Sequence, residues 1–348
     1  MVSFDLSKAF DSVDHRLLLY KLEAYGITDK ILAWTTAFLS HRQQVVISEG
    51  DTSRAIEVTS GVPQGSVYGP LLFNIYVNDA LDCFRSDTFF FADDGNLATA
   101  IKHLTDCVSL SRDIQAFWDW CERWNLVINR SKSKVISFTR KKEDSIILYD
   151  YKLNGVSLER VSDLKCVGVK LHEEWKWDNH IADMVVGAER MMRFAGRVLR
   201  DAPKCTRLAA YKTLVRPRLE YASAVWDPYS VHLVNQVERV QKRAARRITG
   251  NFDFSACITG MQADLGLVPL ADRRTDHRLH LFYKILNGDA LINAAKFCTA
   301  PTYAGRHDHG FKVGLPQSIV GTTVGTPTLL TPSSNGIIWK KTLFCRRA

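Results

Sequence analysis

The spacing of apolar positions changes along this chain, and the changes outline its elements. Val2-Ser3-Phe4-Asp5-Leu6 is a short apolar segment that reads as a strand. Leu17-Leu18-Leu19 through Leu22 predicts a helix stopping at Gly26, and Thr28 caps a second helix over Ile31 to Leu39. Gln44 to Ser48 and Ala55 to Thr59 flank Gly50-Asp51 and predict a hairpin. The loop Ser60-Gly61-Val62-Pro63-Gln64-Gly65-Ser66 is rich in turn formers. It leads into an apolar helix from Pro70 to about Leu81, where proline suits the first turn. Thr88 to Ala92 and Leu97 to Ile101 predict short strands, and Leu104 to Trp124 a helix. Strands follow near Lys134 to Phe138 and Ile146 to Leu153, and a turn at Val167-Gly168-Val169 precedes helices from Asn179 to Thr249. Strands and helices interleave early and helices dominate later, which is an α+β domain followed by a helical one. Leu265 to Leu270 and a helix from Arg273 to Leu286 still look folded. From about Thr299 the chain is rich in Gly, Pro, Ser and Thr without periodicity and is expected to be poorly ordered.

Composition narrows the class. The 348 residues are 46% hydrophobic and 24% charged, as in ordinary globular proteins. No apolar stretch approaches the ~18–20 residues of a membrane span, and the first residues lack a secretory pattern. The eight Cys are scattered with no Cys-x-x-Cys pair, which points away from a zinc knuckle or disulfide framework and toward an intracellular setting, nuclear or cytoplasmic. Most of them are expected to be core thiols. The net charge of +9 is uneven. Residues 1–100 hold 7 Lys/Arg against 13 Asp/Glu, and residues 187–250 hold 14 against 5. An acidic region beside a basic one suits metal binding next to polyanion binding, and solvated helix faces produce the same imbalance.

The acidic pair Asp93-Asp94 ends the apolar run Phe89-Phe90-Phe91-Ala92 and precedes Gly95-Asn96. Asp-Gly-Asn is good turn chemistry, so an acidic hairpin turn is one reading. The other is a metal site, because a strand end has no structural need for two like charges and a divalent cation removes their repulsion. Asp5 ends its own strand far upstream, and three Asp on neighbouring strand ends suit two-metal phosphoryl transfer. Mg²⁺ suits such a site, since it takes few carboxylates and otherwise prefers phosphate and water oxygens. Asp11 and Asp14 read as caps of the following helix. Leu233, Val237, Val240, Ala244 and Ile248 share one side of a helical wheel, with Arg239, Lys242, Arg243, Arg246 and Arg247 opposite. That basic side is either solvated or laid along a phosphate backbone. Trp118, Trp120 and Trp124 read as core.

In order, Phe4-Asp5-Leu6-Ser7-Lys8-Ala9-Phe10-Asp11, Ser60-Gly61-Val62-Pro63-Gln64-Gly65-Ser66 and Phe91-Ala92-Asp93-Asp94 resemble three core motifs of reverse transcriptases. The wording is that of the non-LTR (LINE-type) retrotransposons, jockey-like in flavour. The resemblance implies a right-hand polymerase palm, an antiparallel sheet with helices, over residues 1–175. A helical thumb over 176–250, a helical extension over 251–298 and the tail 299–348 complete the expected organisation. It implies two Mg²⁺ ions, or Mn²⁺, on Asp5, Asp93 and Asp94, with an RNA template, a DNA primer and dNTPs as partners. No protein partner is implied. Phe10 stands where the family places an aromatic that crowds a ribose 2′-hydroxyl; without the motif it reads as a core Phe. Pro63, Gln64 and Gly65 would approach the incoming nucleotide. Asn129-Arg130-Ser131-Lys132 is similar to the next motif, where Lys132 would protonate the pyrophosphate leaving group, although a solvated surface lysine fits equally. Leu164 to Val169 resembles the hairpin that grips the primer end, but carries Cys166-Val167 where Tyr-Leu is usual.

The chain starts almost on the first motif, so fingers and an upstream endonuclease are expected to be absent and Met1 to be an internal codon of a truncated element. Little or no polymerase activity is then expected of the chain alone. Two alternatives stand beside a polymerase fragment: a nucleic-acid-binding relic without catalysis, and a group II intron maturase-like protein, which the lack of a recognisable maturase region disfavours.

Overall fold

A computed structural model of the chain describes residues 1–139, 147–253, 255–290 and 292–296. The expected tail, 299–348, lies outside these residues. The chain divides into two compact units, Met1–Lys176 and Trp177–Ala348.

The first unit is built on the strand β1 (Val2–Asp5), the helices α1 (His15–Ala24) and α2 (Asp29–Leu39), and an arm of four two-residue strands. These are β2 (Gln43–Gln44), β3 (Ile47–Ser48), β4 (Asp51–Thr52) and β5 (Ile56–Glu57). Next come α3 (Tyr68–Val77), β6 (Asp87–Phe91), β7 (Asp94–Ala98), α4 (Leu104–Arg123) and β8 (Lys134–Val135). The unit ends with β9 (Lys152–Leu153), β10 (Val156–Ser157), β11 (Glu159–Arg160), β12 (Asp163–Cys166) and β13 (Val169–His172). The five-stranded sheet runs β11-β8-β1-β7-β6, antiparallel except for β11 beside β8.

Strand alternation decides which way β1 faces. Val2 and Phe4 are buried, and the Phe4 ring lies 5.0 Å from that of Phe117 in α4. Ser3 and Asp5 therefore point to the other face, away from the core. The core itself joins β1 to α1, α3 and α4 through Leu18, Leu22, Leu72, Phe73, Ile114 and Phe117, all fully buried. Trp120 is buried and Trp118 and Trp124 pack against the same cluster, as expected.

Several expectations change. The turn between β6 and β7 is Ala92-Asp93, so Gly95 and Asn96 lie inside β7 rather than in a turn. Ala92 takes the left-handed conformation, φ 54°, that primed hairpin turns need at their first position. Gly95 is required for another reason: a Cβ there would sit 2.8 Å from the Phe90 ring packed across it. The apolar run 89–91 forms the edge strand β6, on which Phe89 and Phe91 are exposed. The hairpin over 43–57 is interrupted into two short ladders and is exposed throughout, Val46 and Ile47 included. Thr28 stands at the start of α2, but its hydroxyl donates to the Asp29 carboxylate and accepts no helix N–H. Among the six described cysteines Cys107 and Cys121 are buried and Cys83 packs against the same core, whereas Cys166, Cys205 and Cys257 lie outside the core clusters.

In the second unit α5 (Asp178–Val198), α6 (Lys204–Ala210), a π-helical turn (Tyr211–Val215), α7 (Arg216–Glu220) and α8 (Ser223–Trp226) lead into α9 (Val231–Thr249). Helices α10 (Ile258–Asp264) and α11 (Leu270–Leu286) follow. Leu233, Val237, Val240, Ala244 and Ile248 of α9 are all buried, against Ile181, Ala188 and Met192 of α5. Met261, Leu265 and Leu270, beyond residue 250, enter the same core. Gln241, also buried in α9, is satisfied by the Tyr211 hydroxyl and by the Val268 carbonyl. Among the described residues no helix is long and apolar enough to cross a membrane.

Candidate active site

The acidic group is assembled by the backbone. In the β1–β7 ladder Asp5 stands directly opposite Asp94, and Asp93 occupies the turn one residue earlier. Partners in such a ladder have Cβ atoms about 4.5–5.5 Å apart, close enough for like charges to oppose each other. The Asp94 carboxyl accordingly holds its proton above the ordinary carboxylate range, first through partial burial, then through the charges of Asp93 and Asp5. The three side chains supply hard oxygen donors under mutual repulsion, a donor set that fits a divalent cation. Among the described residues no group of three or more His, Cys, Asp or Glu side chains is gathered closely enough to hold a metal ion, these three included.

Beyond Asp5 the chain continues beside the segment after α4. Leu6 bridges Ile128, Ser7 N donates to Val127 O at 2.7 Å, and Asn129 N donates to Asp5 O at 2.7 Å. The turn that follows folds around Asn129, whose Oδ1 accepts from Ser131 Oγ at 2.7 Å and whose carbonyl accepts from Ser133 N at 3.0 Å. Lys132 is thereby brought to Asp5, Nζ to Oδ2 3.4 Å, with its side chain 66% exposed. Arg130 lies over the Trp118 ring at 4.8 Å.

The loop 60–66 is stitched to residues 10–15. Val62 N donates to Phe10 O and Gly61 N to Val13 O, both at 2.8 Å, and Ser60 Oγ donates to Asp11 O at 2.9 Å. Gly61, φ 86°, passes so near Asp11 that a Cβ would meet its Cα at 2.7 Å. Gln64 Nε2 donates to Asp11 Oδ1 at 2.8 Å, while Pro63 O accepts from Ser66 Oγ at 2.7 Å and Gly65 turns at φ 82°. Phe10 is half-buried beneath this loop, stacked on Phe73 with ring centres 4.3 Å apart. Asp14 caps α1 as expected, accepting from Arg16 N and Leu17 N. Partial burial alone would raise its carboxyl, but those N–H groups hold it below the ordinary range. Asp11 is not a cap: the Gln64 amide claims its carboxylate.

The hairpin β12–β13 turns at Val167-Gly168, both at positive φ. Cys166 is close enough to the acidic group to feel it: burial, then the Asp94 charge, push its thiol up.

Sequence reading missed Lys21, a cation buried in α1. It donates to Asp79 and to the Tyr76 carbonyl, and its Nζ lies 3.6 Å from the Trp124 ring centre. Apolar spacing gives no signal for such a residue, since Lys normally marks a solvent face.

In the second unit the basic positions of α9 have different fates. Arg239 and Lys242 are exposed, whereas Arg243 pairs with Glu189 of α5. Arg246 donates to Asp253 O at 2.7 Å and Arg247 to Met192 O at 3.5 Å.

A family model described as reverse transcriptase (RNA-dependent DNA polymerase) matches residues 1–171, the stretch that holds the carboxylates, the 60–66 loop and Lys132. Residues 1–171 are a reverse transcriptase domain. The chain is similar to the probable RNA-directed DNA polymerase from transposon X-element of Drosophila melanogaster, 26% identical over 78% of this chain and 30% of that protein. The RNA-directed DNA polymerase from mobile element jockey of the same organism is 26% identical over 71% and 28%. That from transposon BS is 27% identical over 79% and 32%. The chain thus spans about a third of the length of these relatives, and its similarity to them runs past residue 171 into the helical unit.

Proposed function

We propose that this chain is the palm and thumb portion of an RNA-directed DNA polymerase, adding dNMP from a dNTP to a DNA primer 3′-hydroxyl on an RNA template. Residues 1–175 act as palm and 176–250 as thumb, extended by 251–298. Asp5, Asp93 and Asp94 hold two Mg²⁺ ions, for which Mn²⁺ can substitute. Held by these carboxylates, such ions would supply activation of the primer hydroxyl and neutralisation of charge on the triphosphate and its leaving oxygen.

The chain's own residues do the rest. Lys132, beside Asp5, is the proton donor to departing pyrophosphate. Pro63, Gln64 and Gly65 form the loop toward the nucleotide, and Asp11 keeps the Gln64 amide oriented. Phe10, wedged against Phe73, is a stiff wall for the sugar. Arg239, Lys242, Arg243, Arg246 and Arg247 lie along phosphates of the template–primer, a contact that carries little sequence information. The observation that supports this reading most is the cross-strand pairing of Asp5 with Asp94 beside the Asp93 turn.

Mn²⁺ titration followed by electron paramagnetic resonance tests the site without requiring turnover. Two ions per chain are expected, lost in Asp5→Asn and in Asp93→Asn; unchanged stoichiometry in both variants would refute the assignment. Any dTMP incorporation on poly(A)/oligo(dT) is expected to be slight and to vanish in Asp93→Ala. A second reading, nucleic-acid binding without catalysis, draws on the open arrangement of the three carboxylates. A chain that binds duplex but takes up no Mn²⁺ would establish that reading instead.

A further inference from the structure

The second unit contains a cavity of about 580 Å³ between α5, α6 and α9. Its size lies within the range of small-molecule sites. Five arginines line it: Arg193 and Arg197 in the last turns of α5, Arg200 just beyond that helix, Arg207 on α6 and Arg247 on α9. Arg243, one turn before Arg247, is matched by Glu189, but no carboxylate matches any of the five among the described residues. Two of them are set in place by backbone. Arg207 Nη1 donates to the Arg247 carbonyl at 3.1 Å, and Arg247 Nη1 to the Met192 carbonyl at 3.5 Å. The buried Nε of Arg207 has no partner among the described residues. The floor is apolar, made by Met192, Val215, Ala244 and Ile248 of the unit's core, and Phe252 stands exposed at the wall.

A phosphate alone has no use for that floor, and an apolar ligand alone has no use for five cations. The occupant must be anionic and carry a compact apolar face. A nucleotide within a strand has both, and guanidinium groups also stack on bases. We propose that the cavity takes one nucleotide of a single-stranded segment, its base against the apolar floor and its flanking phosphates on the arginines. Choosing a nucleotide over another amphipathic anion rests on the nucleic-acid role proposed above. The outer face of α9 would hold duplex backbone, and this cavity would hold an unpaired end.

Fluorescence anisotropy of the full chain with three probes tests this: a blunt DNA hairpin, the same hairpin with a five-nucleotide overhang, and one whose overhang is abasic. The normal overhang is expected to bind about tenfold more tightly than the abasic one, which keeps the phosphates but lacks the stacked base. Gly196 lines the cavity, and a Cβ there meets only Arg247 Nη1, at 3.4 Å, so Gly196→Phe fills the space from the helix surface. That variant should erase the overhang preference while lowering blunt-hairpin affinity by no more than the loss of the single Arg247 phosphate contact, since Arg239 and Lys242 lie outside the cavity. If Gly196→Phe misfolds by circular dichroism, Arg197→Gln with Arg200→Gln, both exposed on the rim, must reduce the preference instead. Equal affinity for blunt and overhanging probes, an abasic overhang as good as a normal one, or a preference surviving these variants each overturns the cavity assignment while leaving the polymerase reading intact. Failure to bind any probe at low salt overturns both.

Discussion

The acidic site of the first unit and the basic face of the second both concentrate charge, but they position it by different means. Asp5, Asp93 and Asp94 have one rotatable carbon between backbone and carboxylate, so the β1–β7 register and the Ala92-Asp93 turn place their oxygens almost completely. The arginines of α9 have long stems, and tertiary neighbours decide their ends. Arg243 turns to Glu189 and Arg247 to a carbonyl of α5, while Arg239 and Lys242 stay in solvent. Charge placed by backbone is rigid and intolerant of change; charge placed by side chains is adjustable.

The sharpest break between the two is a single methylene. Asp5→Glu keeps the charge but moves it by more than an ångström, and a displacement of that size costs on the order of 100-fold at a preorganised site. Mn²⁺ affinity is expected to fall accordingly, while Arg243→Lys, an equally conservative change, should alter duplex affinity less than about twofold. Comparable losses at both positions would erase the distinction.

That distinction also explains what was legible. The carboxylates, the 60–66 loop, the capping role of Asp14 and the buried stripe of α9 follow from local order, because strand and helix periods alone assign their faces. Asp11 was misread because its partner, Gln64, arrives from another segment. The exposure of Phe89 and Phe91 has no local signal, because edge position is a property of the sheet and not of the strand. Lys21 and Gln241 gave no signal, since each is buried only because several elements supply it with partners.

Lys21 is the long cation of the first unit that lacks the freedom of those on α9. Enclosed by Tyr76, Trp120 and Trp124 and bonded to Asp79, it is held as firmly as a core residue. Lys21→Ala is expected to cost about 3 kcal/mol in urea unfolding, from an emptied cage and a carboxylate left without its partner. Lys21→Met, which restores packing but not charge, should recover part of it. A loss below about 0.5 kcal/mol, the usual surface value, would place Lys21 with the adjustable cations.

Rigid placement of like charges has a cost that pH reveals. Asp94 holds its proton more tightly in the folded chain than the ordinary value of 3.8. Its contribution to stability is therefore fully present below 3.8 and is lost as pH rises through the raised folded value. Asp93→Asn removes a repelling charge and should bring the Asp94 titration, followed by carboxyl ¹³C NMR, down toward 3.8. The same variant should melt slightly higher than the parent at pH 7 while losing its Mn²⁺ ions. An unmoved Asp94 titration would mean that the three carboxylates do not feel one another.

Among the adjustable charges, partners should set the salt response. Arg239→Gln and Lys242→Gln, which remove cations exposed to a phosphate backbone, are each expected to lower the slope of log affinity against log salt by about one. Arg243→Gln should lower it by less, because Glu189 already offsets that charge. Three equal reductions would show that the Glu189 pair opens when duplex binds.

The smallest effect is expected at the turn that aims Asp93. Ala92 sits at φ 54°, a conformation costing an L-residue about 1–2 kcal/mol. Glycine would remove that cost but would add about 0.5–1 kcal/mol of backbone entropy to be lost on folding. Ala92→Gly is therefore expected to stabilise the first unit by roughly 0.5 kcal/mol, read as a small rise in the urea midpoint. If backbone rigidity is what holds the carboxylates, the same change should weaken Mn²⁺ binding even though nothing has been removed from the site. A variant that is both more stable and unimpaired in metal binding would show that β-ladder register alone positions Asp93, with the strained turn contributing nothing. A less stable variant would show that the Cβ of Ala92 has a packing role that outweighs its strain.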